Sequence, residues 1–254
     1  MPSRYEVSLT PDLDAASFMG TVLISAEATE AVSEIVVNAI ELEIASVTVN
    51  GTTASFTLHE ESERLIISSD VAKGPCDIAI AFTGILNDKL RGFYRSTFTD
   101  DSGVVRTIAT TQMQSTDCRR AFPCFDEPDF KAVFAIDLTI KSEFLAVSNS
   151  SETKREVLAN GLTRIWFADT MIMSTYLVAF VVGPLEATET EMVGDIAVRI
   201  IHVPGKSHLT EFGMRAGTFA LDWFQTYYGV PYPSDKVDLL ALPDFAAGAM
   251  ENVG

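Results

Sequence analysis

The 254-residue sequence contains only three histidines, His59, His202 and His208. A helix-borne zinc site needs two of them one turn apart on a single face. His59-Glu60-Glu61-Ser62-Glu63 lacks the second histidine, and Pro204-Gly205 breaks the chain between His202 and His208. Cysteine is equally scarce. Cys76, Cys118 and Cys124 have neither CxxC spacing nor a histidine nearby, which argues against a thiolate zinc site, and an odd count of 3 fits reduced thiols better than a disulfide framework. Basic residues are few: 18 against 35 acidic ones give a net charge of -17, which repels phosphate backbones and anionic lipid and excludes nucleic acid and membrane surfaces as partners. Solubility is the plainest use of that acidity, although the same field would also attract cations. Met1-Pro2-Ser3-Arg4-Tyr5 carries no apolar core of the kind an export signal needs, and the longest apolar stretch, Tyr176 to Val182, is too short to span a bilayer. A cytoplasmic protein is expected.

Hydrophobic residues make up 47% and charged residues 21%, a globular balance that disfavours disorder. The apolar pattern has period two over most of the chain. Tyr5, Val7 and Leu9 alternate with polar neighbours, Val47-Thr48-Val49 runs into the hairpin signal Asn50-Gly51, and Phe134, Ile136, Leu138 and Ile140 alternate with Asp137, Thr139 and Lys141. Met171 to Val182 reads as a strand buried on both faces. Such short strands separated by turns predict a mainly β first domain over residues 1–187, an antiparallel sandwich or saddle-shaped sheet assembly. No internal repeat or low-complexity tract is present.

A second domain is expected to open at Thr188 and to be incomplete over 188–254. Ile196, Val198 and Ile200 predict a strand. A helix follows, with Ser207 as N-cap, Glu211 in the first turn and Gly229 just past the end. Leu209, Phe212, Ala216, Phe219, Ala220, Trp223, Phe224 and Tyr227 recur at helical spacing, and this face is expected to pack on a sheet. Val237 to Leu242 predicts a further strand.

That strand leads into Gly248-Ala249-Met250-Glu251-Asn252-Val253-Gly254. A carboxylate beside exposed main-chain N–H and C=O groups on small residues suits the free amino end of a peptide: the backbone can pair with peptide backbone, and the anion answers the ammonium. A tight core strand would explain the small residues but not the Glu251-Asn252 pair. Four other segments stand in a fixed order before it. They are Gly92-Phe93-Tyr94-Arg95-Ser96, the stretch from Thr111-Gln112-Met113-Gln114 through Asp117-Cys118-Arg119-Arg120-Ala121-Phe122-Pro123-Cys124-Phe125-Asp126-Glu127-Pro128, Thr175-Tyr176-Leu177-Val178-Ala179-Phe180, and Val230-Pro231-Tyr232-Pro233.

In these five ordered motifs the chain resembles the aminopeptidase N and puromycin-sensitive aminopeptidase family of zinc peptidases. The resemblance implies a saddle-like β domain followed by the start of a thermolysin-like α+β catalytic domain, to which it lends one side of the active site. By the same resemblance Glu251 binds the substrate α-ammonium, the main chain of Gly248 and Ala249 pairs with the peptide, Met250 belongs to the same binding segment, and Ala247, Gln112 and Met113 line the pocket for the first side chain. The family's zinc motif, His-Glu-x-x-His, its general base and its Tyr would all lie beyond Gly254. Zinc is thus implied for the complete enzyme and none for these residues, and the partners implied are peptides with a free N-terminus and the missing remainder of the catalytic domain.

Two positions depart from the family pattern. Gln114 stands where most members carry a second Glu; a neutral amide cannot offset an ammonium charge, so amine recognition would fall mainly on Glu251. The epoxide-hydrolysing leukotriene branch also has Gln there, which leaves that activity as an alternative, as does an ordinary polar strand residue. Val253 replaces the usual Trp, a packing difference. Arg119 and Arg120 with Asp126, Glu127 and Asp129 are read as an ion-paired loop bracing the domain interface. A stand-alone acidic β-sandwich binding module is the remaining alternative. The 254-residue chain alone is expected to hydrolyse no aminoacyl reporter and to bind no stoichiometric zinc, checked by fluorogenic turnover and metal analysis; metal-dependent hydrolysis would contradict the reading.

Overall fold

The structure, a computed structural model, describes residues 1–254. The period-two segments at Tyr5, Val47 and Phe134 form strands of one eight-stranded sheet, because alternation lets one face go into a core while the other stays polar. Its spatial order is Glu152–Val157, Leu162–Phe167, Val133–Lys141, Pro2–Asp12, Ser17–Ala28, Gly74–Ile85, Leu42–Val49 and Thr52–Thr53. Tyr5, Val7 and Leu9 are buried, and they sit in register with Phe134, Ile136 and Leu138. Two smaller sheets cover the apolar face. One joins Val32–Asn38, Arg64–Val71 and Ser55–His59, and the other runs Leu145–Ser148, Phe180–Gly183, Val105–Gln112 and Gly92–Thr99. A single cluster of 39 buried residues is shared among the three sheets, so they fold as one β-rich unit. At its centre the Tyr5 ring stacks on Phe134 with centroids 4.8 Å apart, and its hydroxyl accepts a hydrogen bond from the Phe125 amide at 3.1 Å.

The fold is mainly β, as the alternation predicts, with two departures in detail. Pro2–Asp12 and Val133–Lys141 pair in parallel, so the large sheet is mixed rather than purely antiparallel. Met171–Val182 is not one strand: only Phe180–Gly183 is extended into a sheet, and Thr175–Leu177 makes a 3-10 turn. Side chains compete with sheet pairing here. Ser174 Oγ donates to Pro128 O at 2.7 Å, Thr175 Oγ1 donates to Asp126 Oδ1 at 2.7 Å, and Asn149 bonds both Leu177 O and the Ala179 amide.

A fourth sheet is built around Ile196–His202. Glu191–Val193 and Glu186–Ala187 pair with it antiparallel, and Lys236–Ala241 pairs with it in parallel after a crossover through the helix α1, Thr210–Tyr228. A parallel neighbour requires such a long crossover. The chain leaves α1 at Gly229, whose φ of 64° is the left-handed conformation that ends helices. Ser207 does not cap α1: Ser207–Leu209 forms a 3-10 turn, and Thr210 Oγ1 donates to the Ser207 carbonyl at 2.7 Å.

The face of α1 that meets the sheet also differs from the expected one. Met214 and Leu221 pack against Val198, Ile200, Val237 and Leu239, and Gly213 and Gly217 lie so close that a Cβ at Gly217 would come within 2.8 Å of Leu239. The predicted apolar face instead points outward: Phe212 is 74% exposed, Phe219 69% and Tyr227 65%. These aromatics stack on one another, Trp223 on Tyr227 at 4.6 Å and Phe224 on Tyr228 at 5.8 Å. The helix is apolar on more than one side, and the glycines win the sheet because only they allow close backbone approach. No helix is long and apolar enough to cross a membrane.

Phe134→Ala should cost about 3–5 kcal/mol, because a fully buried ring is lost from the shared core, whereas Lys73→Ala on the surface should stay within about 0.5 kcal/mol. Urea denaturation checks both; equal effects would contradict the single-core description.

Candidate substrate-binding cleft

The strand Lys236–Ala241 carries the chain through Leu242-Pro243 to a segment tied down at two ends. At the near end, Tyr94 Oη donates to the Asp244 carbonyl at 3.0 Å, Ser96 Oγ donates to Asp244 Oδ2 at 3.0 Å, and the Thr97 amide reaches the same oxygen at 3.4 Å. Burial, and after it the Asp244 charge, pushes the Tyr94 hydroxyl up to about 12, so it keeps the proton it donates. At the far end, Asn149 Nδ2 donates to Val253 O at 2.7 Å, the Gly254 amide donates to Tyr232 Oη at 3.0 Å, and the Asp238 amide donates to Gly254 O at 3.2 Å. Only glycine fits at 254, where φ is 105° and a Cβ would overlap the Asn149 carbonyl.

Between these ends, residues 245–252 make no backbone hydrogen bonds to other backbone. Their N–H and C=O groups are free to pair with an extended chain. Beside them lies a cavity of about 720 Å³, walled by Thr110, Thr111, Asn149 and Phe180 of the β-rich unit. The other wall is the segment itself, including Ala247, Gly248, Ala249, Met250 and Glu251. A Cβ at Gly248 would meet nothing within 4 Å, so this backbone faces open space. Glu251 is exposed and its carboxylate takes part in no ion pair and no hydrogen bond.

The other expected site residues lie elsewhere. Gln112, Met113 and Gln114 are not in the cavity wall. Met113 is 1% exposed and packs its side chain in the β core. Gln112 pairs with Gly92 at the end of its strand and holds a buried Oε1 with no hydrogen-bond partner, and Gln114 is exposed. The residues that hold the segment are not marked as such in the sequence. Tyr94, Ser96 and Tyr232 fall inside motifs singled out in the sequence, but their role depends on which strands meet, and Asp244 and Asn149 carry no sequence signal of their own.

The donor set does not fit zinc. His202 is buried with Nδ1 2.8 Å from the Val203 carbonyl, while His59 and His208 are exposed on separate elements. Cys118, Cys124 and Asp126 do converge, with ligand atoms within 4.8 Å of one another, a grouping that the spacing did not reveal. Asp126 is already engaged by the Arg119 side chain at 2.9 Å and by Thr175 at 2.7 Å, and burial first of all pushes both thiols up and keeps them protonated. The cluster is a hydrogen-bonded part of the core.

Arg119 and Arg120 pair with Asp126, Glu63, Asp117 and Glu41, not with Glu127 or Asp129. All these partners belong to the β-rich unit, so the loop is braced within that unit rather than across an interface. Under the cleft, Arg199 grips Asp238 through two bonds of 2.8 Å, and Lys236 Nζ lies 3.0 Å from the same carboxylate. Burial lowers Lys236, and Asp238 opposes that shift.

Among known proteins, the description "Peptidase M1 N-terminal domain" matches residues 1–177 and "Peptidase family M1 domain" matches residues 212–254. Aminopeptidase M1-A of Oryza sativa subsp. japonica is 41% identical over 100% of this chain and 30% of its own length. Aminopeptidase M1 of Arabidopsis thaliana is 39% identical over 100% of the chain and 30% of its length. The puromycin-sensitive aminopeptidase of Caenorhabditis elegans is 35% identical, again over 100% of the chain, and 28% of it is covered. The chain therefore spans less than a third of the length of these curated relatives.

Asp238→Ala removes the one carboxylate bonded to both Lys236 and Arg199, and should cost about 3–5 kcal/mol in denaturant titrations. A loss below about 1 kcal/mol would show that the floor of the cleft does not depend on this triad.

Proposed function

The chain belongs to the peptidase M1 family, and on that premise we propose that it is the N-terminal part of a metallo-aminopeptidase in which Glu251 receives the α-ammonium of a peptide substrate. The observation that carries this reading is an exposed carboxylate with no partner, on a backbone segment with no partners, along an open cavity. A peptide α-amine titrates at about 7.7–8.0, so much of it is cationic at neutral pH, and a fixed anion selects a free N-terminus over an internal peptide bond. Gly248 and Ala249 align the peptide by strand addition, and Ala247 and Met250 border the place of its first side chain. Gln114, neutral and exposed, adds no charge to this recognition.

Hydrolysis is assigned to residues outside these 254, and zinc with them, since no donor set here fits that metal. The outward aromatic face of α1 suits further polypeptide packing against it. Three unpaired buried cysteines support a reducing, cytoplasmic location.

A coding sequence that continues past Gly254 should contain His-Glu-x-x-His within about a hundred residues; a natural stop would favour a stand-alone binding module. In the complete protein, Glu251→Gln should lower kcat/KM for free-amine aminoacyl substrates roughly 10- to 150-fold, the worth of a hydrogen bond to a charged group. Unchanged kinetics would remove Glu251 from the site.

A further inference from the structure

Glu251 itself is anchored by nothing, and residues 245–252 have no backbone partners, so the position of its carboxylate is inherited from the two ends of the segment. The near end is held by a single strand, Gly92–Thr99, through Tyr94, Ser96 and Thr97. Tyr94 is 0% exposed and Ser96 2%, so neither can follow the segment if it moves. The same strand pairs with Val105–Gln112 in a register that sets Tyr94 opposite Thr110 and Ser96 opposite Ile108. Thr110 and Thr111 form part of the cavity wall. One strand pair thus supplies a wall of the cleft and grips the segment that closes the other side.

We propose that Asp244 is a positioning residue for Glu251, clamped by Tyr94, Ser96 and Thr97 so that the carboxylate stands at a fixed distance from the cleft wall. The clamp has two parts. Tyr94 holds the main-chain carbonyl, which any residue at 244 retains, whereas Ser96 and Thr97 hold the side-chain carboxylate, which only Asp or a close analogue supplies. An unheld segment would sample many conformations, and each residue that must be reordered when substrate binds costs conformational entropy. The clamp removes part of that cost beforehand. Because the amine would still bind in the same chemical way once captured, loss of the clamp should appear in KM before kcat.

The proposal rests on the reading of Glu251 as the amine receptor, and two measurements separate them. In the 254-residue chain, a nitroxide on Ala247→Cys reports the segment, the native cysteines being buried. Asp244→Ala and Tyr94→Phe should each sharpen its spectrum, and Asp244→Asn, which keeps an acceptor for Ser96, should restore the immobile line shape. In the complete protein, Asp244→Ala should raise KM for free-amine aminoacyl substrates about tenfold, with kcat held within about threefold, and Asp244→Asn should recover most of the loss. An unchanged nitroxide spectrum in both Asp244→Ala and Tyr94→Phe would overturn the clamp. A mobilised segment with unchanged KM would overturn the positioning role. Should Glu251→Gln leave KM unaltered, the amine reading fails, while the label still decides the clamp.

Discussion

Six hydrogen bonds, three at Asp244 and three around Val253 and Gly254, fasten a stretch of otherwise unpartnered backbone to the rest of the molecule. The cleft depends on them. Backbone polar groups ordinarily find partners within the fold, and a run without any is stable only where water or another chain can supply them. Residues 245–252 meet that condition because they border an open cavity. Their disposition follows from the sequence around them: Pro243 and Asp244 turn the chain out of a strand, small residues at 247–249 keep the surface low, and Gly254 admits a backbone approach that no other residue tolerates.

Isolation of a carboxylate is not by itself informative in this protein. With 35 acidic residues and 18 basic ones, many acids have no cation to meet. The basic residues that exist are largely committed to structure: Arg119 and Arg120 lock the loop before Pro128, Arg164 bonds Asp137, Arg4 bonds Asp169, and Arg199 with Lys236 neutralises the buried Asp238. What distinguishes Glu251 is the coincidence of a free anion with free main chain, the combination that an extended cationic terminus can use. None of the ion pairs that stabilise the β-rich unit includes that anion.

Much of the architecture could be read from local pattern. The alternation at Tyr5, Val7, Leu9 and at Phe134 to Ile140 located the centre of the large sheet, and Gly229 marked the end of α1, because both are decided within a few residues. Local pattern misleads where distant groups compete. Met171 to Val182 looked like one buried strand, yet the hydroxyls of Ser174 and Thr175 and the amide of Asn149 bend it into a turn. The helix periodicity was sound, but glycine backbone rather than aromatic bulk decided which side meets the sheet. The segment carrying Glu251 is recognisable as a motif, whereas four of the residues that hold it, Tyr94, Ser96, Thr97 and Asn149, lie more than a hundred residues earlier and meet it only through the fold.

The central claim is that Glu251 meets a peptide's protonated amino end across this cleft. A crystal structure of the complete protein with a non-hydrolysable peptide analogue bearing a free amine tests it most directly. The account predicts the ammonium nitrogen about 3 Å from the Glu251 carboxylate, with the analogue's backbone hydrogen-bonded to residues 248–250. An analogue bound with its amine elsewhere, and Glu251 facing solvent, would contradict it.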